Sequence, residues 1–187
     1  MSKQRWKGGA LLAPVPPVMV SCGTMANPNI ITIAWTGIVS TIPPKTYISI
    51  RPERYSYDII KNSGEFVINL TTKLLVKKAD YCGVKTGAKC NKFKDMGLTP
   101  SEASDVSAPL IEESPINIEC RVTNIITMGS HDMFLADIIS VNVDEALIDE
   151  KGKLRMDKCR LVAFSHGEYF ELGAKLGSFG YSVRKRK

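Results

Sequence analysis

The chain has 187 residues, of which 44% are hydrophobic and 24% charged, a balance typical of ordinary globular proteins. A chain this long buries about 70% of the surface that its unfolded form exposes, so it needs neither disulfides nor a metal to hold a core. Its composition excludes collagen, coiled coil and bulk disorder, and no apolar run reaches the roughly 18–20 residues of a membrane helix. We therefore expect one domain over residues 1–187 and no contact with a membrane.

Charge and cysteine usage narrow the class of protein further. Part of the formal net charge of +6 lies in residues 184–187, which read Arg-Lys-Arg-Lys. We interpret residues 182–187 as a basic tail and not as a nucleic-acid footprint, which usually clusters basic residues across a face. The five cysteines are odd in number and include no C-x-x-C pair, which argues against a disulfide framework or a zinc ribbon. No apolar region with a cleavage site follows the charged start, so we expect no signal peptide and a cytoplasmic location.

The first part of the chain predicts an extended arm and then strands. Residues 1–17 form the arm, which is rich in Gly and Pro toward its end. An apolar run over residues 18–23 predicts a buried strand, and the Asn-Pro-Asn of residues 27–29 predicts a turn. The β-branched run from residue 30 to residue 41 predicts one continuous strand, and residues 46–50 predict another.

The middle of the chain predicts two short helices around a strand. Residues 53–62 place apolar side chains at helical spacing and are followed by Gly64, a common helix end. Residues 65–70 predict a strand that carries the polar Asn69 near its end. Residues 74–82 predict a second helix, and residues 83–93 predict a loop.

The last part of the chain is β-rich again. Residues 116–122 alternate in hydrophobicity, residues 129–132 read Gly-Ser-His-Asp, and residues 133–143 form a long apolar run, which together predict a hairpin. Residues 161–164 predict a last strand. Short strands without β-α-β alternation favour an antiparallel barrel or sandwich.

Most familiar catalytic motifs are absent from the sequence. It contains no G-x-S-x-G, H-E-x-x-H, Walker loop or G-x-G-x-x-G, and its two histidines, His131 and His166, have no metal-ligand spacing to the cysteines. We predict no metal site. If the chain is an enzyme, a bound cofactor would carry the difficult chemistry and the protein would supply shape and charge.

Three segments remain as candidates for binding chemistry. Residues 51–56, Arg-Pro-Glu-Arg-Tyr-Ser, lie where a predicted strand leads into a helix, which suits a phosphate cradle but equally suits a capped helix with exposed arginines. Residues 89–93 offer two lysines, although a solvated loop explains them better. Residues 29–40 could line a flat ligand, although a core strand explains them better.

In combination these segments resemble the flavin reductase-like, FMN-binding split-barrel family, and within it the flavoredoxin branch. The run at residues 51–56 and the turn at residues 129–132 are the most specific matches. The other matching stretches are residues 29–37, 64–70, 80–84, 92–93, 118–122, 169–173 and 176–181.

The resemblance implies a mainly β fold, a six-stranded antiparallel Greek-key split barrel with a few flanking short helices, assembled as a homodimer that binds FMN. It implies that Arg51 and Ser56 hold the FMN phosphate with Lys92 as a third partner, and that Asn69 lies near the ring or the ribityl chain. His131 takes the position near the reacting face and is the predicted catalytic residue. The remaining predicted cofactor-binding residues are Asn29, Thr32, Ala34, Trp35, Thr36, Gly37, Ser40, Tyr55 and Lys89.

The function that the resemblance implies is electron transfer between NADH or NADPH and FMN. The alternative is a flavoredoxin-type electron carrier, whose tightly bound FMN is reduced and oxidised by protein partners. A flavin-free module on the same barrel would lose the phosphate contacts, and the sequence keeps Arg51, Ser56 and Lys92. For His131, a turn histidine bonded to the backbone stays an equal alternative, and His166 fits a structural role better.

Overall fold

Eleven strands and three helices appear in the computed structural model, which describes residues 1–183. The helices are α1 (Tyr55–Ser63), α2 (Val76–Val84) and α3 (Lys92–Met96). The strands are β1 (Val18–Thr24), β2 (Asn27–Ile33), β3 (Thr36–Thr41), β4 (Pro44–Ile50), β5 (Glu65–Leu70), β6 (Pro100–Ser101), β7 (Leu110–Ile111), β8 (Ile116–Thr127), β9 (Asp132–Val143), β10 (Val162–Ser165) and β11 (Glu168–Glu171).

The central sheet has seven strands in the order β2-β1-β5-β8-β9-β4-β3, and every neighbouring pair is antiparallel. The mainly β antiparallel class is confirmed, with seven strands where six were predicted. The difference arises because the run over residues 30–41 is not one strand. It divides at Ala34 and Trp35 into β2 and β3, which lie at opposite edges of the sheet.

The two edges of the sheet approach each other at this division. Only Ala34 and Trp35 separate the end of β2 from the start of β3, and β2 contacts β4 without forming a ladder with it. The backbone N–H of Ser49 in β4 donates to the carbonyl of Trp35 at 2.9 Å, which extends the β3-β4 ladder by one residue. The sheet therefore curls into a barrel with an open seam between the end of β2 and the end of β4. The predicted turn at residues 27–29 is wrong, because Pro28 lies within β2, where an edge position tolerates a residue without a backbone N–H.

The sheet is buried on both faces by two apolar clusters. In β1, Val18 and Val20 point into the barrel, where Phe66 and Phe134 are fully buried. Met19, between them, points to the opposite face and packs in the cluster beneath α2 and α3. The alternation of side chains along a strand thus places α2 and α3 against the outer face of β2, which lines the seam.

A buried carboxylate fastens a long connection to the outside of the sheet. Glu119 in β8 is fully buried and accepts backbone N–H groups from Ser104 at 2.8 Å, Asp105 at 2.7 Å and Val106 at 3.1 Å. The Asn142 amide donates to it at 2.6 Å. Burial raises the pKa of Glu119, but these hydrogen bonds outweigh that effect and hold its pKa below the usual range.

The arm at the start of the chain crosses the molecule without forming a helix or a strand of its own. Its one ladder contact is a bridge in which Val15 and Phe164 exchange N–H···O bonds of 2.9 and 2.8 Å. Of the predicted basic tail, residues 184–187 lie outside the described residues. Within the described part of the chain, no helix is long and apolar enough to span a membrane.

Candidate functional site

A cleft of two adjoining cavities opens at the seam of the barrel. The inner cavity has a volume of about 230 Å³ and the outer cavity about 430 Å³, and both are lined by Ile31, Arg51 and Arg54. The inner cavity is further lined by Glu53, Tyr55, Ser56, Cys82, Gly83, Lys85, Thr86, Gly87 and Lys92. The outer cavity is further lined by Thr32, Ile33, Ala34, Trp35, Ser49, Ile50 and His131.

The amino end of α1 presents unfilled hydrogen-bond donors to the inner cavity. Arg54 occupies the N-cap position of α1 without a capping side chain. The Tyr57 N–H donates to the Arg54 carbonyl at 2.8 Å, so the N–H groups of Tyr55 and Ser56 are left to an external acceptor. Ser56 is buried in the first turn, and its Oγ accepts from the Asn29 amide at 2.7 Å. The Ser56 hydroxyl hydrogen is therefore free to be donated. Backbone dipoles and hydroxyl together favour an anion here.

Two arginines flank this helix end. Arg51 follows β4 and is half-exposed, and its Nη1 lies 3.5 Å from Oε1 of Glu53. Both side chains line the inner cavity. Arg54 borders both cavities. A guanidinium matches the oxygens of a phosphate with two parallel hydrogen bonds, which strengthens the preference for an anion.

Lys92 brings a buried positive charge to the floor of the inner cavity. Its side chain is 4% exposed, and its Nζ donates to the carbonyl of Ile30 at 2.6 Å and of Cys82 at 2.8 Å. Burial is the main reason that its pKa is lowered from the ordinary lysine value. An ammonium group has three donors, so one N–H remains for a ligand. Lys92 also ties β2 to the end of α2.

Two glycines shape the inner cavity and were not predicted from the sequence. A Cβ on Gly87 would lie 2.2 Å from Oδ1 of Asn29 and 2.7 Å from the Tyr55 ring. A Cβ on Gly83 would lie 3.2 Å from Cβ of Thr32. Only glycine at 87 lets the loop approach α1 so closely. The signal available in the sequence was the pair of glycines in a segment interpreted only as a loop.

The outer cavity is flatter than the inner cavity and lies along the backbone of the chain. Its wall is the end of β2 and the Ala34–Trp35 link, and Trp35 keeps 40% of its surface exposed. An edge strand offers unpaired backbone N–H and C=O groups, which suit a flat ligand with a polar edge.

His131 lies at the mouth of the outer cavity because the hairpin that carries it is anchored. Asp132 is buried and accepts the hydroxyl of Tyr57 in α1 at 2.5 Å. The hydrogen bond to Asp132 is the main cause that raises the pKa of Tyr57 to about 12. His131 Nδ1 lies 2.9 Å from the hydroxyl of Ser130, and not against a backbone group as the alternative interpretation expected.

The structure brings eight predicted site residues to the cleft: Thr32, Ala34, Trp35, Arg51, Tyr55, Ser56, Lys92 and His131. Asn29 supports Ser56 from behind. Lys89 is exposed on the loop beyond the cleft. Their roles as cofactor ligands stay a prediction.

The predicted residues on β3 lie away from the cleft because β3 turns to the far edge of the sheet. Thr36 donates its hydroxyl to the Tyr47 carbonyl at 2.5 Å, and Gly37 faces the Tyr47 ring. Ser40 pairs with Lys45 in the β3-β4 ladder. None of the three lines either cavity.

Asn69 is in the wrong place for the predicted contact with the ring or ribityl chain. It is fully buried, and its amide donates to the Met19 carbonyl at 2.9 Å. Its Oδ1 accepts from Ile111 N–H at 3.0 Å and from the Asn117 amide at 2.7 Å. Because alternate side chains of β5 face opposite sides, Asn69 points to the outer face and holds β7 against the sheet.

The thiols beside the cleft are not activated. Burial is the main cause that raises the pKa values of Cys22 and Cys82 to about 11, which keeps both protonated near neutral pH. Among residues 1–183 no group of His, Cys, Asp and Glu side chains could hold a metal. The arrangement suits a ligand with an anionic end and a flat end, and it fits the flavin that the resemblance implies.

Comparisons with known proteins point in the same direction. A family model described as "Flavin reductase like domain" matches residues 11–173. A protein of Archaeoglobus fulgidus is 34% identical over 140 residues, which cover 75% of this chain and 78% of that protein. The structure is similar to "Flavoredoxin of Desulfovibrio vulgaris (Miyazaki F)", with a TM-score of 0.90, 31% identity, and coverage of 98% of this chain and 100% of that one.

A more distant structure bears on the fold alone. A putative flavin reductase with a split barrel domain from Shewanella frigidimarina aligns with a TM-score of 0.80 at 22% identity, over 90% of this chain and 86% of that one. The curled sheet with its open seam is therefore a split barrel, as predicted.

Proposed function

Because the chain belongs to the flavin reductase-like domain family, we propose that it is a flavoprotein that binds FMN in the seam cleft and moves electrons between NADH or NADPH and that flavin. The phosphate would lie in the inner cavity and the isoalloxazine ring along the wall of the outer cavity. No protein nucleophile is needed, since the flavin supplies the redox chemistry when it is bound.

The observation that carries the proposal is the cationic, donor-rich end of the cleft. The open amino end of α1, the hydroxyl of Ser56, the guanidinium of Arg51 and the buried ammonium of Lys92 converge on one cavity of about 230 Å³. A phosphate dianion satisfies all of these groups together. A neutral ligand would leave the Lys92 charge buried without a counter-charge.

The chain's own residues would then bind and orient the cofactor. The unpaired backbone of the β2 edge would donate to and accept from the polar edge of the ring. Gly83 at the end of α2 and Gly87 in the following loop would leave room for the phosphate. His131, held in place through Asp132 and Tyr57, would contact the donor nucleotide at the open face.

The test is an absorbance spectrum of the purified protein mixed with FMN, desalted, and then treated anaerobically with NADH or NADPH. We expect a retained flavin band at about 450 nm that bleaches with one of the nucleotides. A protein that retains no flavin from added FMN contradicts the proposal. Retained flavin that neither nucleotide bleaches contradicts the proposed donor.

Replacement of Arg51 by alanine tests the phosphate end. We expect Arg51→Ala to weaken FMN binding by roughly 1.5–3 kcal/mol, because a charge-assisted hydrogen bond is lost. Isothermal titration with FMN measures the change. Arg121→Ala, which removes an arginine paired with Glu65 elsewhere on the surface, is the matched control. Equal dissociation constants for the two variants would remove Arg51 from the site.

We also propose a homodimer as the working form. The edge strand β3 exposes Ile38 and Val39, and the neighbouring Ile42 is 91% exposed. Such an apolar edge favours cover by another chain. Light scattering of the flavin-loaded protein should give twice the monomer mass, whereas a monomeric mass contradicts this assignment.

A flavoredoxin-type electron carrier is the second candidate function. It is favoured by the 31% identity to the Desulfovibrio vulgaris flavoredoxin over nearly the whole chain. In this case protein partners would reduce and oxidise tightly held FMN. The anaerobic titration separates the two candidates, because a carrier keeps its flavin band in the presence of either nucleotide.

A further inference from the structure

A second cavity lies on the other side of Trp35, outside the seam cleft. It has a volume of about 520 Å³, within the range of small-molecule sites. We call it the arm pocket, because the arm forms one of its walls. Its lining includes Leu11, Leu12, Trp35, Phe164, His166 and Gly167. Trp35 is the one residue that the arm pocket shares with the outer cavity of the seam cleft.

The walls of the arm pocket are fixed by contacts outside it. The arm is pinned by the paired hydrogen bonds between Val15 and Phe164. The Phe164 ring packs edge-on against Tyr169 with ring centroids 5.2 Å apart, and the Tyr169 hydroxyl lies 3.2 Å from Oδ1 of Asp80 in α2. The Val15 end of the arm and the β10-β11 wall of the pocket are therefore anchored to the rest of the fold.

Most side chains that line the arm pocket are apolar, and a few polar groups lie at its rim. Leu11 and Leu12 are 53% and 85% exposed on the arm, although an aliphatic side chain gains by being covered. His166 and Gly167 have positive φ angles of 51° and 90° and form the tight turn between β10 and β11. Asparagine is the usual residue at the first position of a two-residue turn of this kind. The turn geometry therefore does not explain why a histidine stands at position 166.

From this lining we propose that the arm pocket binds a flat, uncharged aromatic carbonyl compound of the quinone type. Aromatic faces would stack between Trp35 and the leucines of the arm, and a carbonyl oxygen would accept a hydrogen bond at the His166 rim. Neither the pocket nor its rim carries an acidic or basic side chain other than the imidazole of His166, which disfavours a nucleotide.

The position of the pocket gives the ligand a role that rests on the proposed function. A quinone held there would contact Trp35, which also lines the outer cavity. It would take up two electrons and two protons to become a hydroquinone, while the reduced flavin loses the same two electrons and two protons. Binding itself does not require the flavin, so the two proposals can fail separately.

Quenching of tryptophan fluorescence by menadione tests the binding. The chain has two tryptophans, so Trp6→Phe leaves Trp35 as the single reporter in the pocket wall. In this background we expect saturable quenching without FMN, and ultrafiltration should recover the same amount of bound menadione when FMN is at saturation. Leu12→Glu places a charge in the pocket and should raise the menadione dissociation constant about tenfold or more. Leu176→Glu changes an equally exposed leucine outside the pocket and should leave it unchanged.

The outcomes separate the alternatives. Saturable quenching that Leu12→Glu weakens and Leu176→Glu preserves supports the arm pocket, even if the protein binds no FMN. Menadione binding that is lost in ultrafiltration when FMN is added shows that menadione occupies the seam cleft and overturns the proposal. Quenching that never saturates overturns it as well. A third result would also overturn the proposal: menadione does not bind, and Leu12→Glu has a smaller mass in light scattering than the protein with Leu12 unchanged. That result shows that a second copy of the chain covers the pocket.

Discussion

Replacement of Lys92 by methionine should weaken FMN binding at least tenfold and also destabilise the protein without FMN. Methionine keeps an unbranched chain of similar length but removes the ammonium group. The carbonyls of Ile30 and Cys82 then lose a donor inside the protein, which costs about 1–3 kcal/mol of unfolding free energy. The phosphate loses a buried counter-charge, which accounts for the lower affinity.

The control for this change lies two residues further along the same helix. Lys94 is exposed on α3, so Lys94→Met removes the same charge without touching the cleft. Urea unfolding of the FMN-free proteins measures stability, and titration with FMN measures affinity. If Lys92→Met binds FMN as Lys94→Met does, Lys92 only braces β2 against α2 and the phosphate has other partners.

Replacement of Glu119 by glutamine should lower the unfolding free energy by about 2–3 kcal/mol at neutral pH. The carboxylate accepts hydrogen bonds from Ser104, Asp105 and Asn142. The side chain of glutamine would turn its N–H₂ group toward some of these donors, which would then lose their acceptor. By the size of the domain this corresponds to a melting temperature lower by about 4–12 °C. Glu112→Gln, at an exposed position nearby, is the control and should change little.

The pH dependence of stability provides a second readout of Glu119. Its folded-state pKa lies below the unfolded value, so its contribution is fully present above the unfolded pKa, near 4.5, and is lost as the pH falls through the folded pKa. The difference in unfolding free energy between the native protein and Glu119→Gln should therefore shrink on acidification below about pH 4.5. A difference that stays constant down to pH 3 would show that Glu119 is not the titrating group.

The parts of the fold that the sequence predicted correctly depend on local signals. Alternation over residues 116–122 and the apolar run over residues 133–143 predicted the hairpin of β8 and β9, and Asn-Ser-Gly predicted the end of α1, where Gly64 adopts a φ of 69°. The break at Ala34 and Trp35 could not be predicted in this way. Every residue around it favours a strand, and only the pairing of the whole sheet sends β2 and β3 to opposite edges.

The candidate site shows the same division between local and distant causes. Residues 51–56 could be placed at an anion site because the strand-to-helix junction is encoded within six residues. The burial of Lys92 depends on contacts with Ile30, 62 residues away, and that of Asn69 on Met19, 50 residues away. The need for glycine at 87 arises from a clash with Asn29. The pattern of residues within one segment does not indicate which residues distant in the sequence will contact it.

The open seam between β2 and β4 determines how a ligand could come and go. Elsewhere the sheet is closed by continuous ladders, and breaking one would cost much of the stability of the whole domain. At the seam, no ladder joins β2 to β4 among the described residues, and only the Ala34–Trp35 link carries the chain from β2 to β3 beside the cleft. Release of a bound molecule thus requires a small local opening and not global unfolding. The rate of cofactor exchange can therefore be set independently of the lifetime of the fold.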